Sequence, residues 1–199
     1  LLARRVGRRI AASNVTVVDS PAGTGEWVEM RYDDEGAPAL ECRLIESGIL
    51  RNLIVDSATS KKLKLPNFGH ARRQSYSFRP APRMRSTYLA PGSRSFADLI
   101  SSMGSGILIK RLGAGAVDRA SGRFRFTCAE AYRVRRGQSA ERLGELVIAG
   151  DARQIMNRIQ EVGDAVVHQS ALCRADSGDI QVTVGAPDLL VEGFEFHAA

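Results

Sequence analysis

The chain has 199 residues, of which 44% are hydrophobic, 25% charged and 6% aromatic, a composition that excludes collagen-like, low-complexity and wholly disordered polypeptides. Its longest apolar runs, such as 106–109 and 146–149, fall far short of the roughly 20 residues that cross a bilayer as a helix, so no membrane is expected as a partner. Net charge is +6, but 24 of the 28 basic residues are arginine, a bias that coding composition can produce, so total charge alone selects no partner.

The predicted elements begin with Val15-Thr16-Val17-Val18, a β-branched run closed by Asp19-Ser20-Pro21 and therefore a strand ending in a turn. A hairpin follows: 40–46 and 49–56 flank Ser47-Gly48, a two-residue connection whose glycine takes positive φ at no steric cost. Residues 57–65 read as a short helix stopped before Pro66. Ser95 is placed to cap a second helix running to about Met103, with Asp98 serving its N-terminal amides and Gly104 and Gly106 ending it. Gly113 and Gly115 are read as turn glycines; no Gly-x-Gly-x-x-Gly or Gly-Lys-Ser/Thr phosphate loop is present.

From 123 to 135, Phe124, Phe126, Cys128, Tyr132 and Val134 alternate with Arg123, Arg125, Thr127, Arg133 and Arg135, the clearest strand period in the chain. Cys128 is thereby expected to be a core thiol. Glu130 falls on the same face and needs a partner or a raised pKa. Asp151 is expected to cap a third helix, with Ile155, Met156, Ile159 and Val162 on its apolar face and Gly163 at its end. Strands are expected at 165–169, 180–184 and 188–196. Hairpin-linked strands punctuated by isolated helices predict an α+β fold, mainly antiparallel β-sheet with two or three short helices.

Charge is laid out in blocks. Residues 26–46 carry seven acids and two bases, 61–94 carry nine bases and no acid, and 159–199 carry seven acids and one base. The basic block interleaves Arg72, Arg73, Arg79, Arg83, Arg85 and Arg94 with Tyr76, Phe78 and Tyr88, as a nucleic-acid surface would, offering phosphate contacts and stacking. Prolines at 66, 80 and 82 favour instead a solvated loop, or one whose arginines pair with the acidic blocks. Cys42, Cys128 and Cys173 are odd in number and widely spaced, which fits neither a disulfide framework nor a Cys-x-x-Cys zinc knuckle and suggests a reducing cytoplasm. The chain opens on Leu1, with no apolar signal core behind it, and is read as beginning mid-protein.

Several collinear landmarks carry a family resemblance: Val15-Thr16-Val17-Val18-Asp19, Asp33-Asp34-Glu35-Gly36, Leu44-Ile45-Glu46-Ser47-Gly48-Ile49-Leu50 and Gly69-His70-Ala71-Arg72-Arg73-Gln74-Ser75-Tyr76. Pro82-Arg83-Met84, Pro91-Gly92, Ser121-Gly122-Arg123-Phe124, Glu130-Ala131-Tyr132 and 155–163 continue it over essentially the whole chain. The sequence resembles the C-terminal half of the TldD/PmbA metalloprotease family. The Arg-Arg-Gln-Ser-Tyr stretch and Cys173 are similar to its TldD-type subunit rather than to the PmbA-type (TldE) partner.

The resemblance implies that 1–199 is the C-terminal domain of a cytoplasmic zinc peptidase acting on extended or unfolded peptides, which the family is thought to bind by adding a strand to a sheet. It implies two imidazole ligands from an upstream His-Glu-x-x-x-His helix, absent from this sequence, and a third ligand at Cys173. Catalytic zinc takes three protein ligands and one open position. One thiolate does not hold it tightly, so the fragment alone is expected to be inactive. A dimer is implied, either a homodimer or a heterodimer with a PmbA/TldE-like subunit. The family cysteine lies in a glycine-rich run, whereas here Leu172 and Arg174 flank it, Asp176-Ser177-Gly178-Asp179 follows, and the near-terminal double glycine is Glu192-Gly193. Those departures support an alternative, a non-catalytic assembly partner. His70 is expected to hydrogen-bond rather than ligate, and His168 and His197 are weak ligand candidates.

Overall fold

The computed structural model of the chain describes residues 2–22, 28–118 and 120–198. In chain order, a 3-10 turn at Leu2–Arg5 precedes β1 (Val17–Ser20), β2 (Cys42–Glu46), β3 (Ile49–Leu50) and α1 (Ser57–Leu63). Then come β4 (Ala71–Arg72), β5 (Ala81–Pro82), β6 (Ser86–Leu89), α2 (Phe96–Met103), β7 (Gly106–Val117), β8 (Arg123–Arg135) and β9 (Gln138–Arg142). The chain continues with β10 (Leu146–Asp151), α3 (Ala152–Asn157), β11 (Ile159–Val162), β12 (Val167–Ala175), β13 (Gly178–Ala186), β14 (Leu189–Val191) and β15 (Glu195–Ala198). The fold is α+β and mainly antiparallel sheet, as the hairpin pattern predicts.

Two compact units share the chain: Leu1–Arg9, Val15–Pro91 and Val166–Pro187 form the first, and Ile10–Asn14, Gly92–Ala165 and Asp188–Ala199 the second. The first is built on a six-stranded sheet in the order β12-β13-β6-β1-β2-β3. Every pairing in it is antiparallel except β13 with β6, where Thr183 lies opposite Ser86 and Val184 opposite Thr87. The β2–β3 hairpin turns on Ser47 and Gly48 with φ of 48° and 78°, the double left-handed geometry of a type I′ turn, whose twist matches that of paired strands. Its α1 is capped by Asp56, whose carboxylate accepts from the Thr59 amide at 2.7 Å, and ends on left-handed Lys64, just ahead of Pro66. Val15, Val55, Ile180 and Val182 are among its buried apolar side chains.

In the second unit, β15-β10-β8-β7 form one sheet with β9 on the side of β8, and β11 pairs with β14. Cys128, Ala131 and Ile148 centre its core, with Phe124, Phe126 and Phe194 packed against them. Ser95 and Asp98 form a reciprocal capping box on α2, and Gly104 closes it; such a cap stabilises a helix by about 1 kcal/mol. Glu130 is half-buried and accepts from the Tyr132 hydroxyl at 3.0 Å, the partner its position requires.

Four expectations are corrected. The second arm of the 40–56 hairpin is a strand only at Ile49–Leu50, and 51–56 are irregular. The third helix stops at Asn157, and 159–162 form β11 instead. A register shift between Ile159 and Glu161 marks a bulge there. It brings Ile159 and Val162, three apart, to the same buried state and so imitates helical spacing. Gly113 and Gly115 lie inside β7 rather than in turns. A Cβ on Gly115 would stand 2.1 Å from Phe126 Cδ1, and one on Gly113 2.4 Å from Thr127 Oγ1. Glycine is used there so that β8 side chains can close over the neighbouring backbone. The strand foreseen at 188–196 is divided into β14 and β15, with Gly193 between them at φ 76°.

Candidate functional site

Three arginines of the basic block turn inward rather than to solvent. Arg72, Arg83 and Arg85 are 8%, 3% and 0% exposed, and a buried guanidinium must find an acceptor for each N–H. Arg85 does so completely: its backbone N–H and Nε donate to the two oxygens of Asp19 at 2.9 and 2.6 Å. Its terminal nitrogens donate to the carbonyls of Phe68, Gly69, Asp19 and Leu40. Register explains the meeting, because Asp19 on β1 lies opposite Thr87 on β6, and the Thr87 hydroxyl also donates to Asp19, at 2.6 Å. His70 Nε2 stands 3.2 Å from the same carboxylate, with both side chains wholly buried, the hydrogen-bonding role expected of it.

Burial alone would raise the Asp19 pKa. The hydrogen bonds from His70, Arg85 and Thr87, together with the Arg85 charge, outweigh it and hold the carboxyl at about 2. Cys42, opposite Asp19 on β2, is pushed up to about 12, first by burial and then by the Asp19 charge. It is a packed thiol, not a nucleophile. Burial raises Cys128 likewise, and that side chain is 6% exposed, the core thiol that the alternation predicts.

Cys173 differs from both. It is half-buried and forms no disulfide. It lies on β12, which pairs with β13 at one end of the six-stranded sheet. Cys173 is opposite Ile180, and Ala171 opposite Val182, so the thiol side chain shares the sheet face of Ile180, Val182, Thr87 and Asp19. His168 also lies on β12, but five residues away alternation puts it on the opposite face. There its ring meets Tyr88 edge-on at 5.5 Å. His197, on β15, is exposed, with Nε2 3.9 Å from Glu195. No group of three or more His, Cys, Asp or Glu able to hold a metal occurs among the described residues. The described residues thus offer no complete ligand set for a catalytic metal, which takes three protein donors.

The backbone around Cys173 is held by the arginine-rich segment. Arg83 Nη2 donates to the Cys173 carbonyl, and Arg83 Nη1 donates to the Ser177 hydroxyl at 2.6 Å and the Gly178 carbonyl at 2.9 Å. Gln74 accepts from the Asp179 amide at 2.8 Å and donates its own amide to the Ser177 carbonyl at 2.9 Å. Arg72 reaches the Gln181 carbonyl at 2.8 Å. Its pKa is pushed below the ordinary arginine range, chiefly by burial, while Asp19 counteracts. The acidic block serves backbone amides: Asp33 accepts from Glu35, Ala37 and Ala71, and Asp34 from Arg73; Glu26 lies outside the described residues. The structural roles of Asp19, Arg83, Arg85 and Ser177 are not predicted by composition or period. For the two arginines the sequence signal is an arginine-rich, acid-free segment too interrupted by proline to be a helix; Asp19 and Ser177 lie outside it.

Comparison with known proteins places this architecture. The model of the PmbA/TldA metallopeptidase C-terminal domain matches residues 1–198. A metalloprotease TldD homolog of Buchnera aphidicola subsp. Acyrthosiphon pisum (strain APS) is 31% identical over 189 residues, covering 94% of this chain and 39% of the relative. A zinc metalloprotease TldD homolog of Saccharolobus solfataricus is 33% identical over 191 residues, covering 95% and 42%. This chain thus spans about two-fifths of the length of the curated relatives it matches. Among solved structures, a Thermotoga maritima MSB8 protein superposes with a TM-score of 0.83 at 23% identity, over 98% of this chain and 42% of that one. TldE from Thermococcus kodakarensis superposes with 0.79 at 24% identity, over 100% and 42%; both show the shared fold. With the domain model spanning all but the final residue, the chain belongs to the PmbA/TldA metallopeptidase family, the TldD/PmbA family.

Proposed function

We propose that this chain is the C-terminal part of a zinc-dependent peptidase acting on extended or unfolded peptides, and that Cys173 is one of three protein ligands to the metal. The observation that carries the reading is the state of Cys173: a free, half-buried thiol on a strand whose backbone is anchored by a buried arginine. Cys42 and Cys128 are packed in the interior with raised pKa values and are unsuited to ligation. When bound, zinc supplies a polarised water at neutral pH.

The two other ligands are assigned to a His-Glu-x-x-x-His helix outside this sequence, so the chain alone is inactive. Among the described residues, β12 pairs only with β13. Its other edge can therefore take an extended peptide as an added strand, running beside Cys173. The working protein is assigned to the cytoplasm as a dimer, with a second copy or with a TldE-like subunit.

A second reading, the non-catalytic partner, is favoured by the hairpin after Cys173, where Asp176 and Ser177 form a two-residue turn in place of a glycine-rich loop. Elemental analysis of the full-length polypeptide, with and without Cys173→Ser, decides between them. One zinc per chain, lost in the variant, is expected of the peptidase. Zinc unaffected by Cys173→Ser removes Cys173 from the site, and no zinc in the parent protein establishes the partner reading.

A further inference from the structure

We infer that Arg83 is a positioning residue for the metal ligand: its guanidinium fixes the backbone of residue 173 and the following turn, and so sets where the thiol points. The inference rests on the reading of Cys173 as a zinc ligand, and its test separates the two. β12 is the end strand of its sheet. Within the described residues it is held laterally by β13 alone, and end strands are the members of a sheet most free to slip or fray. Metal affinity, by contrast, requires donors fixed in advance.

Arg83 resolves that conflict from one buried point. Its side chain is 3% exposed, and its two terminal nitrogens reach three acceptors on the same hairpin: the Cys173 carbonyl before the turn, the Ser177 hydroxyl within it and the Gly178 carbonyl after it. The rigid guanidinium fork makes those three acceptors keep fixed mutual distances, which a flexible ammonium cannot do. The residue opposite Cys173, Ile180, is 5% exposed and lies just beyond the gripped turn. Gln74, which is bonded to the amide of Asp179 and the carbonyl of Ser177, holds the turn from the side. Among the described residues the side-chain hydrogen bonds of Arg83 all go to this hairpin, its buried Nε having no partner. Its charge is spent on carbonyl and hydroxyl dipoles of one hairpin, an arrangement suited to holding geometry rather than to neutralising an acid.

The test uses the full-length polypeptide loaded with zinc or with cobalt(II), comparing Arg83→Gln, Ser177→Ala and Cys173→Ser with the parent. Zinc affinity is read by chelator competition, the thiolate-to-cobalt absorption band reports the sulfur ligand directly, and a thermal melt reports folding. Arg83→Gln is expected to weaken zinc by about 10–100-fold and to alter the cobalt band while leaving one metal site per chain, as loss of an outer-shell partner does. Ser177→Ala, which deletes one acceptor and leaves the arginine in place, is expected to weaken zinc by about threefold to tenfold. It decides the matter alone if Arg83→Gln does not fold.

A purely structural role predicts something different: lower melting temperatures with parental zinc affinity and an unchanged cobalt band. That result overturns the positioning role while leaving Cys173 as the ligand, provided Cys173→Ser abolishes the band. Parental zinc binding in Cys173→Ser overturns the underlying reading, and the positioning role with it.

Discussion

Replacing Asp19 by Asn tests whether the buried carboxylate is the electrostatic anchor of the six-stranded sheet. The substitution keeps shape and removes charge, leaving an Arg85 guanidinium that is 0% exposed without its counterion. It also turns one acceptor into an amide donor facing the Arg85 Nε–H, which now sits 2.6 Å from a carboxylate oxygen. Breaking one side of a buried ion pair costs about 3–5 kcal/mol. With a urea m-value of about 2 kcal/mol/M, that lowers the unfolding midpoint by on the order of 2 M, read by circular dichroism.

Acid offers an independent check on the same group. Its pKa falls from 3.8 to about 2 on folding, so the ionised form stabilises the native state by about 2 kcal/mol, at about 1.4 kcal/mol per unit. Because the folded pKa is the lower one, this contribution is complete above pH 5 and is lost as pH falls through about 2. The stability gap between the parent protein and Asp19→Asn should therefore narrow from pH 5 to pH 2. A gap below about 1 kcal/mol at neutral pH, or one that does not change with pH, refutes the anchoring argument.

Two further outcomes are expected. Thiol labelling of the folded, metal-free protein, located by peptide mass spectrometry, should modify Cys173 first and leave Cys42 and Cys128 unmodified until denaturation, given their 0% and 6% exposure; early modification of Cys42 would contradict its place beside Asp19. Gly115→Ala puts a methyl group 2.1 Å from Phe126 and 2.5 Å from the Arg125 carbonyl and should destabilise by about 1–3 kcal/mol, read as a lower melting temperature. An unchanged melt would mean that β7 does not run against β8 in this register.

Local chemistry was legible in the sequence wherever one interaction decides the structure. Ser47-Gly48, the Ser95–Asp98 cap and the alternation of 123–135 all act over a few residues, and each appears as expected. The misreadings arise where a partner distant in sequence decides: β11 is a strand because β14 pairs with it, and Gly113 and Gly115 are strand residues because Thr127 and Phe126 cover them. The arginine-rich segment is the sharpest case. Composition cannot distinguish an arginine reaching solvent from one reaching five carbonyl and carboxylate oxygens, and the acceptors of Arg83 lie more than 90 positions away at Ser177 and Gly178. Cys173 was legible as a candidate through resemblance alone, since nothing in its neighbours' periodicity marks it.

The parallel pairing of β13 with β6 has a kinetic consequence. β6 ends at Leu89 and β13 begins at Gly178, so closing that pair means drawing together segments separated by most of the second unit, a loop-closure cost that only native contacts can offset. On a ribosome, β1, β2, β3 and β6 are synthesised well before β13 emerges, and one side of β6 stays without its neighbour in the meantime. Until β13 arrives, that half-built sheet is an intermediate exposed to aggregation.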